Sequence, residues 1–293
     1  MTEIARLKPD PIPVVHPVPE YAATGKLAET YARTKASLCV PWMGVVTMAF
    51  AHYPRFYDCL WNGIEDVVVS ESFARACDEL RACAEEQAAR LKPPPILFRL
   101  GALGYDRSEV DEIRACNEVF SAGNMPYLLI ASLARLLLEG ERWHGTGPAH
   151  TRRTPRLTHP RPILIEPHHA EAAVVGLYAD IRDTLGLPFV NTDYRAFARW
   201  PSYFSPAWAD LKAAIVSPSY EARVFCVHER ALSLVAALPN VIGLDSKTLR
   251  AAAAEDASPQ QVLSVVRLFQ WLLPGLATNV AFLREQLVEQ ADA

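Results

Sequence analysis

The chain has 293 residues, 51% of them apolar and 21% charged, enough to bury one large core or two of ordinary size. Its net charge is −4, and its basic residues are scattered except at Arg152, Arg153 and Arg156, which excludes a nucleic-acid surface and favours a small solute as partner. Six cysteines without a CxxC pair read as small apolar fillers of a reducing compartment. No signal-peptide core opens the chain, and the longest apolar run, 128–138, is interrupted by Ser132 and Arg135, so a cytoplasmic protein without a membrane partner is expected.

Residues 1–19 contain Pro9, Pro11, Pro13, Pro17 and Pro19 and predict an extended arm lying on the surface. From Glu20 onward alanine, leucine, glutamate and arginine dominate. Runs such as 72–92 and 108–120 space their apolar residues at three and four, predicting an all-α fold. Prolines 41, 54, 93–95 and 126 punctuate these helices, and a turn at Gly123-Asn124 is expected to lead into the apolar helix 128–138. Residues 144–167, with five prolines and two glycines, read as a linker. Beyond it the pattern starts again.

Aligned at an offset of 147, segments 41–72 and 188–219 share nine identities in 32 positions, among them Pro41, Phe50, Pro54 and Trp61. Tyr31 and Leu38 upstream match Tyr178 and Leu185, and the turn 103–108 resembles 242–247. The chain is therefore an internal repeat: arm and first repeat over 1–143, linker over 144–167, second repeat over 168–293, forming one compact unit. Two homologous helical units are expected to pack about a pseudo-twofold axis as an intrachain pseudo-dimer, with a cleft between unlike residues of the two copies.

A duplicated scaffold needs its core twice and a chemical group once, so the differences are the informative positions. Gly44-Val45-Val46 in the first copy becomes Asn191-Thr192-Asp193 in the second. Asp193, in the first turns of a helix starting near Pro188, suits either of two roles: an acid complementing the helix dipole, or a general base toward water in aromatic surroundings. Asn124 suits a helix N-cap or a polar group of the site. Tyr127, Trp42 and Val45 suit the core or the wall of a pocket. The eight histidines lack metal-ligand spacing, and no phosphate-binding or GxSxG motif occurs, so no metal or cofactor is expected. Cys226-Val227-His228 is similar to half of the peroxidatic motif of alkylhydroperoxidase-like proteins, without the CxxC pair that chemistry needs.

The segments 187–201 (LPFVNTDYRAFARWP) and 123–128 (GNMPYL), with VPW at 40–42 and the tandem helical halves, resemble the group I 2-haloacid dehalogenases over nearly the whole chain. The family's usual proline directly after the glycine-asparagine is displaced here, since Met125 precedes Pro126. The resemblance implies a pseudo-dimer with its active site between the repeats, and hydrolysis of a 2-halo carboxylic acid to the 2-hydroxy acid with inversion. It makes Asp193 the base toward a water that attacks Cα without a covalent ester, and Asn124 the residue that positions this water. Trp42, Val45, Tyr127 and Thr192 fall at positions that line the substrate pocket or hold the carboxylate and halide. Asn191, where members acting on both enantiomers carry a small residue, favours a D-specific enzyme. For Asp193 to work ionised, helix dipole and hydrogen bonds are expected to outweigh desolvation and hold its pKa well below neutral. An enzyme acting on both enantiomers and a non-catalytic helical binder of small carboxylates are the competing readings. A homodimer is left open.

Overall fold

The computed structural model describes residues 4–146 and 160–289, and every regular element among them is helical. The first half carries α1 (Gly25–Leu38), α2 (Val45–Phe50), α3 (Pro54–Val68), α4 (Glu71–Ala89), α5 (Leu97–Ala102) and α6 (Arg107–Leu138). The second carries α7 (Ala172–Leu185), α8 (Thr192–Phe197), α9 (Pro201–Ile215), α10 (Tyr220–Ala237), α11 (Ser246–Asp256) and α12 (Pro259–Glu285). Most of the expected linker, residues 147–159 with Arg152, Arg153 and Arg156, lies outside the described residues.

A shift of 147 carries α1 onto α7, α2 onto α8 and α3 onto α9 without a residue of slip. The causes repeat as well. Pro54 and Pro201 stand at the first helical position of α3 and α9, where a missing N–H costs no helix bond. Helices α1 and α7 end on left-handed residues, Cys39 at φ 55° and Gly186 at φ 61°. The two similar turns place Asp106 and Asp245 as N-caps accepting from Glu109 N and Thr248 N, each two residues after a left-handed glycine. Even the approach to each repeat is copied: Val18 N donates to Met48 O at 2.9 Å and Ile165 N to Arg195 O at 3.0 Å. Tyr31 and Tyr178 then donate their hydroxyls to the carbonyls of Val18 and Ile165. Residues 164–166, at the end of the stretch read as linker, thus dock on their half as 17–19 dock on theirs.

The core forms where counterparts meet: α6 lies against α12 and α4 against α10, with α4 also touching α12 and α10 touching α6. This burial overrides a local signal. Gly123 and Asn124 make no turn; α6 runs from Arg107 to Leu138 straight through them and through Pro126, so neither the expected break nor the N-cap role of Asn124 holds. An internal proline forfeits one helix hydrogen bond, a cost of about 3 kcal/mol. Nearly every residue of α6 from Phe120 onward is buried, and that packing sustains the helix. Helix α12 carries Pro274 at the matching interior place. By length and composition α6 and α12 could each cross a membrane, longer than the run 128–138 suggested, but their apolar windows are 94% and 89% buried inside the protein.

The N-terminal arm is extended, with Leu7 and Val14 exposed, yet its start is not a surface feature. Ile4 is buried, its carbonyl 2.7 Å from His228 Nε2, while Arg135 donates to Ala5 O at 2.9 Å. An extended strand has no helix partners for its carbonyls, so it can satisfy polar groups buried in the core.

Candidate active site

The short helix α8 brings the acid to the junction of the halves. It begins at Thr192, four residues after Pro188, and Asp193 is its second residue. Asn191 precedes it in extended conformation, and its side chain makes no cap bond, which leaves the amide free for the cavity. Asp193 is 3% exposed. One carboxylate oxygen accepts from Asn124 Nδ2 at 2.6 Å, a bond that joins the middle of α6 to the start of α8. Burial pushes the Asp193 pKa up to about 6, against the lowering pull of Asn124, of its own backbone N–H and of Arg195. The sequence-based expectation of a pKa well below neutral is therefore corrected: desolvation outweighs the dipole and the hydrogen bonds.

Asp193 and Asn124 face a cavity of about 50 Å³ whose wall also includes Trp42, Val45, Tyr127, Asn191 and Thr192. All seven residues singled out from the sequence thus meet around one space. Trp42 packs edge-on against Phe120, ring centroids 5.1 Å apart. It needs Gly123 behind it, because a Cβ there would come within 2.3 Å of the indole. Tyr127 sits over Gly44, whose Cβ would lie 2.7 Å from its ring. Its hydroxyl accepts from Gly44 N at 2.8 Å and donates to Trp42 O at 2.9 Å. That hydroxyl is spent on the backbone of the α2 entry, so Tyr127 shapes the wall through its ring. Thr192 Oγ1 lies 3.4 Å from Arg195 Nη2, and Arg195 in turn holds Glu166 at 2.7 Å.

The remaining wall was not anticipated. Gly44, Val46, Phe189, Val190 and the α12 residues Phe269, Leu272, Leu273 and Leu276 complete it. A signal for α12 exists in the sequence: aligning Pro274 with Pro126 places Leu272 opposite Asn124 and Gly275 opposite Tyr127. The site therefore combines α2 and α6 of one half with α8 and α12 of the other. Among the described residues no lysine or arginine lines this cavity, and no three His, Cys, Asp or Glu side chains gather as a metal site would need. Cys116 has its thiol pushed up to about 12, by burial and then by the Asp193 charge, which leaves it unreactive. His228 is buried with both ring nitrogens engaged, by Ile4 O and Gln270, so it offers Cys226 no base.

No protein-family model matches the chain. It is 47% identical to an (R)-2-haloacid dehalogenase of Rhizobium sp. (strain NHG3), over 82% of this chain and 94% of that protein. A second (R)-2-haloacid dehalogenase, from Pseudomonas putida, is 36% identical over 94% of both chains. Among solved structures, a D-2-haloacid dehalogenase in complex with L-LA superimposes with a TM-score of 0.89 at 34% identity, covering 96% of this chain and 99% of that one.

Proposed function

Since this chain belongs to the (R)-2-haloacid dehalogenase family, we propose that it hydrolyses short D-2-haloalkanoic acids, such as D-2-chloropropionate, to the 2-hydroxy acids. Asp193 is the general base and Asn124 its partner. The observation that carries this reading is the buried carboxylate held at 2.6 Å by Asn124 on the wall of a small cavity. With one oxygen fixed by the amide, the other has lone pairs for a water, and the Asn124 carbonyl supplies a second acceptor for it. The water oxygen attacks Cα opposite the halide while its proton passes to Asp193. The carbon–halogen bond breaks with both electrons leaving on the halide, and the carbon inverts. No bond forms between enzyme and substrate.

A pKa near 6 suits this task, because Asp193 is mostly ionised at neutral pH and still basic enough to take a proton. General-base help is worth roughly 10²–10⁴ in rate, and positioning of the water adds to it. A cavity of about 50 Å³ admits only a small acid. Asn191 on its wall, where the first repeat has Gly44, supports selection of the D-enantiomer by removing space from its mirror image. Like residues meeting like residues at α6/α12 and α4/α10 support an intrachain pseudo-dimer.

Chloride release from D- and L-2-chloropropionate tests the activity. Release from the D-acid alone is expected, and none from either would sink the proposal. For the mechanism, one turnover in heavy-oxygen water should label the product; label in Asp193 would mean that the carboxylate itself attacked.

A further inference from the structure

The catalytic cavity holds a carboxylate base and no cation, yet its proposed substrate is an anion. Arg195, beside Thr192, is already held by both oxygens of Glu166; a second candidate cation stands one wall away. A second cavity of about 200 Å³ shares Asn191, Leu272 and Leu276 with the catalytic one, and none of the three is completely sealed from solvent. Arg6, brought from the N-terminal arm, lines this second cavity with a side chain 5% exposed. Its Nη1 is engaged by the exposed Glu221, but its buried Nε has no partner. Its Nη2 lies 3.7 Å from where a Cβ on Gly275 would stand, so the guanidinium faces the chamber floor. An unpartnered buried guanidinium edge is what a carboxylate takes in bidentate pairing.

The chamber wall carries further polar groups. Tyr220 donates to Asn279 Oδ1 at 2.8 Å, and Asn279 donates to Tyr194 Oη at 2.9 Å. Tyr194 only accepts in this chain, which leaves its proton for a ligand in the chamber it lines. Arg6 and Lys8 both stand over the ring of Trp271, at 5.4 and 5.5 Å from its centroid.

The first half has the matching cavity, of about 190 Å³, in which Leu38, Val40, Phe73 and Gly123 take the places of Leu185, Leu187, Tyr220 and Trp271. It shares no wall residue with the catalytic cavity. Trp42 against Gly123 and Tyr127 against Gly44 close that side. On the second side Gly275 replaces Tyr127, and two leucines and Asn191 form the wall that the two cavities share.

We propose that the second-half chamber is an anion-binding antechamber, in which Arg6 and Tyr194 receive the haloacid carboxylate before it crosses between Asn191 and the two leucines to Asp193. This rests on the haloacid substrate proposed above. Arg6→Met keeps an unbranched apolar stem and removes the charge. It should lower kcat/KM about tenfold with little change in kcat, and flatten the fall of kcat/KM with ionic strength. Arg6→Lys should recover part of the loss, and Gly275→Val, which fills the chamber, should reproduce it. Unchanged kcat/KM in Arg6→Met overturns the antechamber while leaving the activity intact. So does an equal loss in Arg6→Met and Arg6→Lys with the same lowered Tm, which would mark mere anchoring of the arm. Should the wild-type protein turn over no haloacid, the proposed function falls, and calorimetric binding of D-2-chloropropionate decides the antechamber alone: about tenfold weaker binding in Arg6→Met supports it, and equal binding overturns it.

Discussion

Helices α2 and α8 occupy equivalent places in the two halves, begin after equivalent loops and bury equivalent phenylalanines, Phe50 and Phe197. What they present to the cavity differs. The first copy offers Gly44, Val45 and Val46, with the glycine N–H already bonded to Tyr127; the second offers Asn191, Thr192 and Asp193. On the long helices the division is reversed, since α6 of the first half carries Asn124 and Tyr127 where α12 of the second carries Leu272 and Gly275. Duplication thus supplies a frame in which one member of each matched pair can be apolar while the other carries the polar group, the acid on α8 and its amide partner on α6. Copying single residues from one half to the other tests which differences matter.

The largest effect is expected from Asp193→Val, the residue of the first copy, which should lower kcat by at least about 10³-fold in chloride release. The isosteric Asp193→Asn should be equally inactive and more stable near pH 7.5. The folded pKa of about 6 lies above the ordinary value of 3.8, so the folded state binds this proton more tightly than the unfolded chain. Its contribution to stability is complete below about pH 4 and is lost as pH rises through about 6, leaving a buried charge that the amide removes. A gain of about 2–3 kcal/mol at most is expected by denaturant titration at pH 7.5, vanishing near pH 4.

Asn124→Leu, the residue of α12, should come next. It removes the donor to the carboxylate, so kcat should fall about 10²-fold and the acid limb of the pH–rate profile, near pH 6 in the wild type, should move upward. Gly44→Asn, the residue of the second copy, would drive a side chain into the Tyr127 ring; a loss of about 1–3 kcal/mol in stability should appear in thermal melts. The gentlest change is Asn191→Gly. Turnover of the D-acid should shift only a few-fold, while L-2-chloropropionate becomes a measurable substrate, with the discrimination narrowed by about 1–3 kcal/mol.

Much of this was legible in the chain. The offset of 147 foretold α1–α3 against α7–α9, because proline starts, aromatic cores and C-caps are local signals that a repeat preserves. Asp193 stood out because a carboxylate amid aromatics is chemically visible against Val46. The continuity of α6 through Gly123, Asn124 and Pro126 was not legible, since three local turn signals were overridden by burial against a helix more than a hundred residues away. The α12 wall was hidden for a different reason: Phe269, Leu272, Leu273 and Leu276 look like any core stripe. The pKa of Asp193 also lay beyond reach, because it is a balance between desolvation and two hydrogen bonds whose sizes depend on the finished cavity.

The contact of α6 with α12 has a consequence for how the molecule is made. Helix α6 emerges during synthesis well before its partner exists, and its apolar window, 94% buried in the finished protein, has until then only α2 and α4 of its own half to cover it. Closing so long a loop costs entropy before the contact rewards it, which makes folding slow and the waiting half prone to stick to others like itself. The division of labour that gives the enzyme one well-formed cavity thus commits its first half to wait for the second.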